Sequence, residues 1–181
     1  MNRRDMLLLL AGTATLPDSL IAMGRAVHKR ASAGTLRTLS THQNETVATI
    51  AELIIPKTDT PGARDAGVPA FIDVMLADWA DDEQRRMFTT GLINVDERSR
   101  TAFGKEFIGC TPAQQAEILQ DLDYELAQLR DAKRDTSKSF FGAMKWLTLT
   151  GYYTSEVGST SELQYRVVPG RYEPCYPLEQ R

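Results

Sequence analysis

Apolar residues recur at helical spacing in five stretches of this chain, separated by polar, Pro- and Gly-containing connections. The first is predicted over residues 42–54, where Val47, Ile50, Ala51 and Ile54 share a face. Ser40 or Thr41 can cap its free N–H groups, and Pro56 ends it because proline lacks the donor and clashes with the preceding turn. A loop follows over 57–67, with a turn signal at Pro61-Gly62. Pro69 suits the first turn of a second helix, which turns Phe71, Ile72, Met75, Leu76 and Trp79 inward. The third helix starts near Asp82 with acids in its first turn, favourable to the helix dipole. Met87, Phe88, Leu92 and Val95 form its apolar face, and Gly104 breaks it after Phe103.

The clearest start signal is Thr111-Pro112-Ala113-Gln114, a capping threonine, a proline at the first helical position and a glutamine that completes a capping box. Ile118, Leu119, Leu122, Leu126 and Leu129 then make a continuous stripe. A fifth helix covers 139–152, with Phe140, Phe141, Met144, Leu147 and Gly151 on or near one face. Beyond Tyr153 the period dissolves among Gly158, Pro169, Gly170, Pro174 and Pro177. No segment alternates as a strand does. The expectation is an all-α fold: a compact bundle of about five helices with an extended, aromatic- and Pro-rich C-terminal tail over 154–181.

Length and composition fit this picture. A chain of 181 residues with 42% apolar and 25% charged side chains suits one globular domain. Net charge is −3 but unevenly placed: residues 1–37 carry +4 and the remainder −7. A basic leader on an acidic body points to targeting rather than to nucleic acid. Arg3-Arg4 precedes an apolar run through Leu7, Leu8 and Leu10, the pattern of a twin-arginine export signal, and the run is short for a membrane span. The expected organisation is a leader over 1–24, a basic linker over 25–38, a helical domain over 39–153 and the tail. No clean small-x-small cleavage site is present. Cys110 and Cys175 either pair, as an exported chain permits, or stand as independent thiols.

The chemistry that is missing narrows the function. There is no Gly-x-Gly pair for a dinucleotide, no phosphate-cradling Gly-Lys-Ser/Thr loop and no Cys-x-x-Cys-His for attached haem. Two histidines, His28 in the linker and His42, cannot build a multi-histidine metal site, and His42 is expected as an exposed helix-start residue. Asp81-Asp82 and Asp121/Asp123 fall at helix starts or on polar faces. No catalytic, cofactor-binding or metal-binding residue is therefore assigned. What stands out is aromatic and late: eight rings lie between Phe140 and Tyr176. Tyr152, Tyr153, Tyr165, Arg171, Tyr172 and Tyr176 form the candidate partner interface, since aromatics and Arg favour interface centres. The alternative is that the tail wraps its own domain and buries these rings.

Several of these stretches resemble the gluconate 2-dehydrogenase subunit 3 family. The resemblance rests on Ile55-Pro56, on Thr58-Asp59-Thr60-Pro61-Gly62-Ala63 through Ala66-Gly67-Val68-Pro69, and on Phe71-Ile72-Asp73. Phe103-Gly104-Lys105, Thr111-Pro112-Ala113-Gln114-Gln115, Gly151-Tyr152-Tyr153 and Pro169-Gly170-Arg171-Tyr172-Glu173-Pro174-Cys175 extend it over about 40–177. The resemblance implies a non-catalytic small subunit, with no cofactor of its own. It implies a large FAD-containing dehydrogenase partner for sugars or sugar acids, often with a multihaem cytochrome c. It further implies a periplasmic place, peripheral to the inner membrane, reached by the twin-arginine route. The loop at 58–68 is then either a rigid connection or a partner contact. A free-standing periplasmic sugar-binding protein and a stand-alone enzyme are the competing classes.

Overall fold

The computed structural model describes residues 35–134, 136 and 138–163, and among these the regular structure is entirely helical. The elements are α1 (Thr41–Ile54), α2 (Val68–Asp78), α3 (Asp82–Phe103), a 3-10 turn (Phe107–Gly109), α4 (Pro112–Asp131), α5 (Phe140–Thr154) and a π turn (Gly158–Glu162). The all-α bundle expected from periodicity is what forms. Arg3, Arg4, Tyr165, Arg171, Tyr172, Cys175 and Tyr176 lie outside the described residues.

Side chains set four of the five starts, and of these the sequence analysis marked those at Ser40 and Thr111. Ser40, Asp81 and Thr111 each complete a capping box with Gln43, Gln84 and Gln114, and Ser139 accepts the N–H of Gly142. Gly104 ends α3 at φ 71°, a left-handed conformation that glycine takes without a Cβ clash.

α5 is the centre of the bundle, packed against α1, α2, α3 and α4. Its sequence is apolar almost all round, with Lys145 its one charged residue, and only part of that apolar surface is covered by the neighbouring helices. Two close approaches fix its position. The ring of Phe140 occupies the space that a side chain at Gly91 of α3 would need. The ring of Phe71 on α2 would lie 2.7 Å from a Cβ at Gly151. Phe140 also meets Phe88 edge-on at 5.2 Å between centroids. Val47, Ile50, Ile72, Phe88, Leu92, Leu126 and Met144 complete one continuous core.

Three expectations change. Trp79 was placed on the buried face of α2, but the helix ends at Asp78 and Trp79 is 78% exposed. The reason is the turn into α3. The Arg85 guanidinium donates to the carbonyls of Leu76 and Ala80, and Ala80 N–H reaches back to Met75, so the helix stops one residue short of the stripe's extrapolation. His42 is no exposed cap, since its ring reaches Asp96 across to α3. The helical path also continues past Tyr153, through Thr154 and the π turn, where the pattern suggested extended chain.

Two substitutions test this packing. The Thr148 hydroxyl is buried without a hydrogen-bond partner, so Thr148→Val should stabilise the domain by about 1 kcal/mol, seen as a higher Tm. Gly151→Val should drive a methyl into Phe71 and cost about 2 kcal/mol by urea unfolding.

Candidate functional site

The prominent acids of the domain are two that interrupt apolar stripes, Asp73 on α2 and Asp96 on α3, both buried. Each sits on the inner face of its helix because its neighbours on that face are core: Ile72 and Leu76 for Asp73, Leu92 and Val95 for Asp96. Neither was singled out from sequence as a site. The available signal was an acid inside an apolar stripe, which a buried charge occupies only when partners compensate it.

Both find partners in the main chain. Asp73 accepts the N–H groups of Arg37 at 2.7 Å, Thr38 at 3.0 Å and Leu39 at 2.8 Å, while the Arg37 guanidinium donates to Asp78 at 2.6 Å. The strand of chain that enters α1 is thus clasped to α2. Asp96 accepts the Phe107 N–H at 3.0 Å with Oδ1 and meets Nε2 of His42 at 2.6 Å with Oδ2. Gln115 donates to the Phe107 carbonyl, so both backbone groups of this fully buried residue are satisfied by side chains. Glu106 lies 3.7 Å from Nδ1 of His42 and takes a hydrogen bond from Arg100. Asp73 and Asp96 thus hold backbone in place, while Glu106 pairs with side chains.

The loop after α1 is tied in the same manner. Glu52 accepts the N–H groups of Lys57 and Arg64, and its carboxylate occupies the space beside Gly62 where a Cβ would stand. Tyr152 donates its hydroxyl hydrogen to the Pro61 carbonyl at 2.9 Å. Tyr152 is buried by this contact and offers no ring to a partner, so it leaves the candidate interface. Tyr153 meets it edge-on and remains exposed. Cys110 is a buried thiol with its sulfur 3.5 Å from the Glu106 carbonyl; its pairing with Cys175 falls outside the described residues. Arg37, Lys57 and Arg100 hold their protons more tightly than usual, because Asp78, Asp65 and Glu106 each accept a hydrogen bond from them and add negative charge.

A cleft of about 570 Å³ opens between the end of α2, the start of α3 and the outer side of α5. Both tryptophans of the chain line it: Trp79 is 78% exposed and Trp146 58%. Met75, Met87 and Ala143 add to its apolar floor, with Arg130 as its charged lining residue. Such a cleft suits an apolar or aromatic occupant. Trp146 was counted among the late aromatics, but its juxtaposition with Trp79 needs the turn at Ala80 and was invisible in sequence. Among the described residues no group of three His, Cys, Asp or Glu is placed to hold a metal, and no helix is long and apolar enough to cross a membrane.

The Asp73 clasp is directly testable. Asp73→Ala should leave three N–H groups without their acceptor, destabilise the domain by about 3 kcal/mol in urea, and speed proteolysis ahead of α1. Asp73→Asn should fall between the two, because it keeps one acceptor oxygen.

Comparison with known proteins adds one positive finding. Residues 41–170 match the family described as gluconate 2-dehydrogenase subunit 3, a span that takes in all of the helical domain and runs past the π turn. No curated protein and no solved structure gives a significant match. The matched span contains α1 to α5 together with the Glu52 and Asp96 ties, and by it the chain belongs to the gluconate 2-dehydrogenase subunit 3 family.

Proposed function

We propose that this chain is a non-catalytic accessory subunit that binds, stabilises and escorts for export a large FAD-dependent dehydrogenase of sugars or sugar acids. The family match carries this reading, since membership implies a complex with other gluconate dehydrogenase subunits. FAD, and in some complexes haem c, would then belong to the partners. A flavoprotein must fold around its cofactor in the cytoplasm, so it has to cross the membrane folded. A small partner bearing the signal at Arg3-Arg4 can take it across.

The geometry supports an escort in a specific respect. Traction on a leader reaches a folded domain only if the joint between them holds. Here the first described residues are clasped through three N–H groups to a buried carboxylate on α2. The inward-facing acids hold backbone and other side chains, which agrees with a structural rather than a catalytic part. Exposed Tyr153, with Tyr165, Arg171 and Tyr172 of the tail, is the proposed contact set for the large subunit. The destination would be the periplasm, at the surface of the inner membrane.

The test replaces Arg3-Arg4 by Lys-Lys in the native host and follows both proteins. The large subunit should remain in the cytoplasm with its flavin bound, and periplasmic dye-linked dehydrogenase activity should fall to background. Normal periplasmic levels of the large subunit would refute the escort role. A tagged wild-type chain should also recover a yellow, stoichiometric partner; recovery of a colourless protein alone would refute the subunit reading itself.

A further inference from the structure

The outer side of α5 carries Trp146, Leu149 and Tyr153, spaced three and four apart, so they form one exposed row along the helix. The row starts at the cleft shared with Trp79 and ends where the chain leaves α5 for the π turn. The π turn packs back on α5, with Gly158 against the Tyr152 carbonyl and the Tyr153 backbone. Chain leaving Leu163 therefore starts beside one end of an apolar track whose other end is an aromatic cleft.

We propose that this cleft is the seat of the chain's own C-terminal segment, with residues 174–177 entering between Trp79 and Trp146. Three observations select this occupant. First, reach: eighteen residues follow Leu163, and Pro174 is the eleventh of them. At roughly 3.1 Å per residue in a proline-rich extended segment these eleven span about 34 Å. The way back along α5 from Thr154 to Trp146 is about 12 Å, at 1.5 Å per residue. Second, conformation: Pro169, Pro174 and Pro177 disfavour helix and strand in the segment and favour the polyproline II form. Third, chemistry: Pro174-Cys175-Tyr176-Pro177 is a Pro-x-x-Pro sequence, and such sequences dock in grooves walled by aromatic rings. Gln84 and the indole N–H groups at the cleft supply donors for the carbonyls of an extended segment, which has no internal hydrogen bonds of its own.

The proposal is independent of the subunit reading, because it concerns the isolated chain. It leaves Tyr165, Arg171 and Tyr172, which precede Pro174 in sequence, for a partner.

Both tryptophans of the protein line the cleft, so tryptophan fluorescence, selectively excited, reports on this site alone. Acrylamide quenching of the full chain, free of other subunits, is the measurement. Shielded indoles with blue-shifted emission are expected at all protein concentrations. The full-length variant Pro174→Ala/Tyr176→Ala/Pro177→Ala should show a severalfold rise in quenching towards the free-indole value, with an unchanged helical circular dichroism spectrum. Milder Pro177→Ala alone should give an intermediate rise. Wild-type indoles quenched like free tryptophan would overturn the proposal. So would shielding that appears only at high protein concentration, which assigns the cleft to a second copy, or only on adding the large subunit, which assigns it to the partner. Shielding that survives the triple substitution would overturn it as well.

Discussion

The approach of α5 to its neighbours is the constraint on which the rest of the domain depends. A helix packed against four others can keep them at contact distance only if bulky rings on one side face gaps on the other. Phe140 fills the space beside Gly91, and Phe71 fills the space beside Gly151. These interlocks draw α3 and α2 onto opposite ends of α5, and the Phe88–Phe140 pair extends the first of them into the core. Because α5 is held by its inner face, its outer face is left with Trp146, Leu149 and Tyr153 in the open.

With the helices so placed, the joints between them are closed by single polar side chains that reach from a helix into a connection. Glu52 holds the loop after α1, Arg85 holds the turn from α2 to α3, and Asp96 holds the turn from α3 to α4. Asp73 does the same for the chain that enters α1. Each supplies partners to backbone groups that no helix satisfies, which is why the connections can be short and still be fixed. Breaking one such tie leaves buried donors or acceptors unmatched, at a larger cost than the tie's net contribution.

This economy bears on function. The domain commits its buried charges to fixing backbone, and its remaining distinctive surface is apolar and aromatic. The clasp at Arg37–Leu39 ties the chain that enters α1 to α2, and the cleft between the tryptophans opens at the end of α2.

Sequence by itself determined the helices. Apolar spacing, the capping box at Thr111 and the Pro and Gly positions are local properties, settled within one or two turns, so the elements and most of the core were legible. Ser40 and Thr111 cap as expected, Thr111 through the box with Gln114, and Val47, Leu92 and Leu126 are buried as their stripes imply. What only the tertiary structure decided is where residues distant in sequence meet. His42 and Asp96 are 54 positions apart, and Tyr152 and the Pro61 carbonyl 91 apart. Trp79 turns outward because Arg85, on the next helix, takes the carbonyls that would have continued α2. Periodicity reports how a residue faces relative to its own helix axis. Which neighbour stands there, or whether one does, is set by how the helices pack, and no local pattern records that.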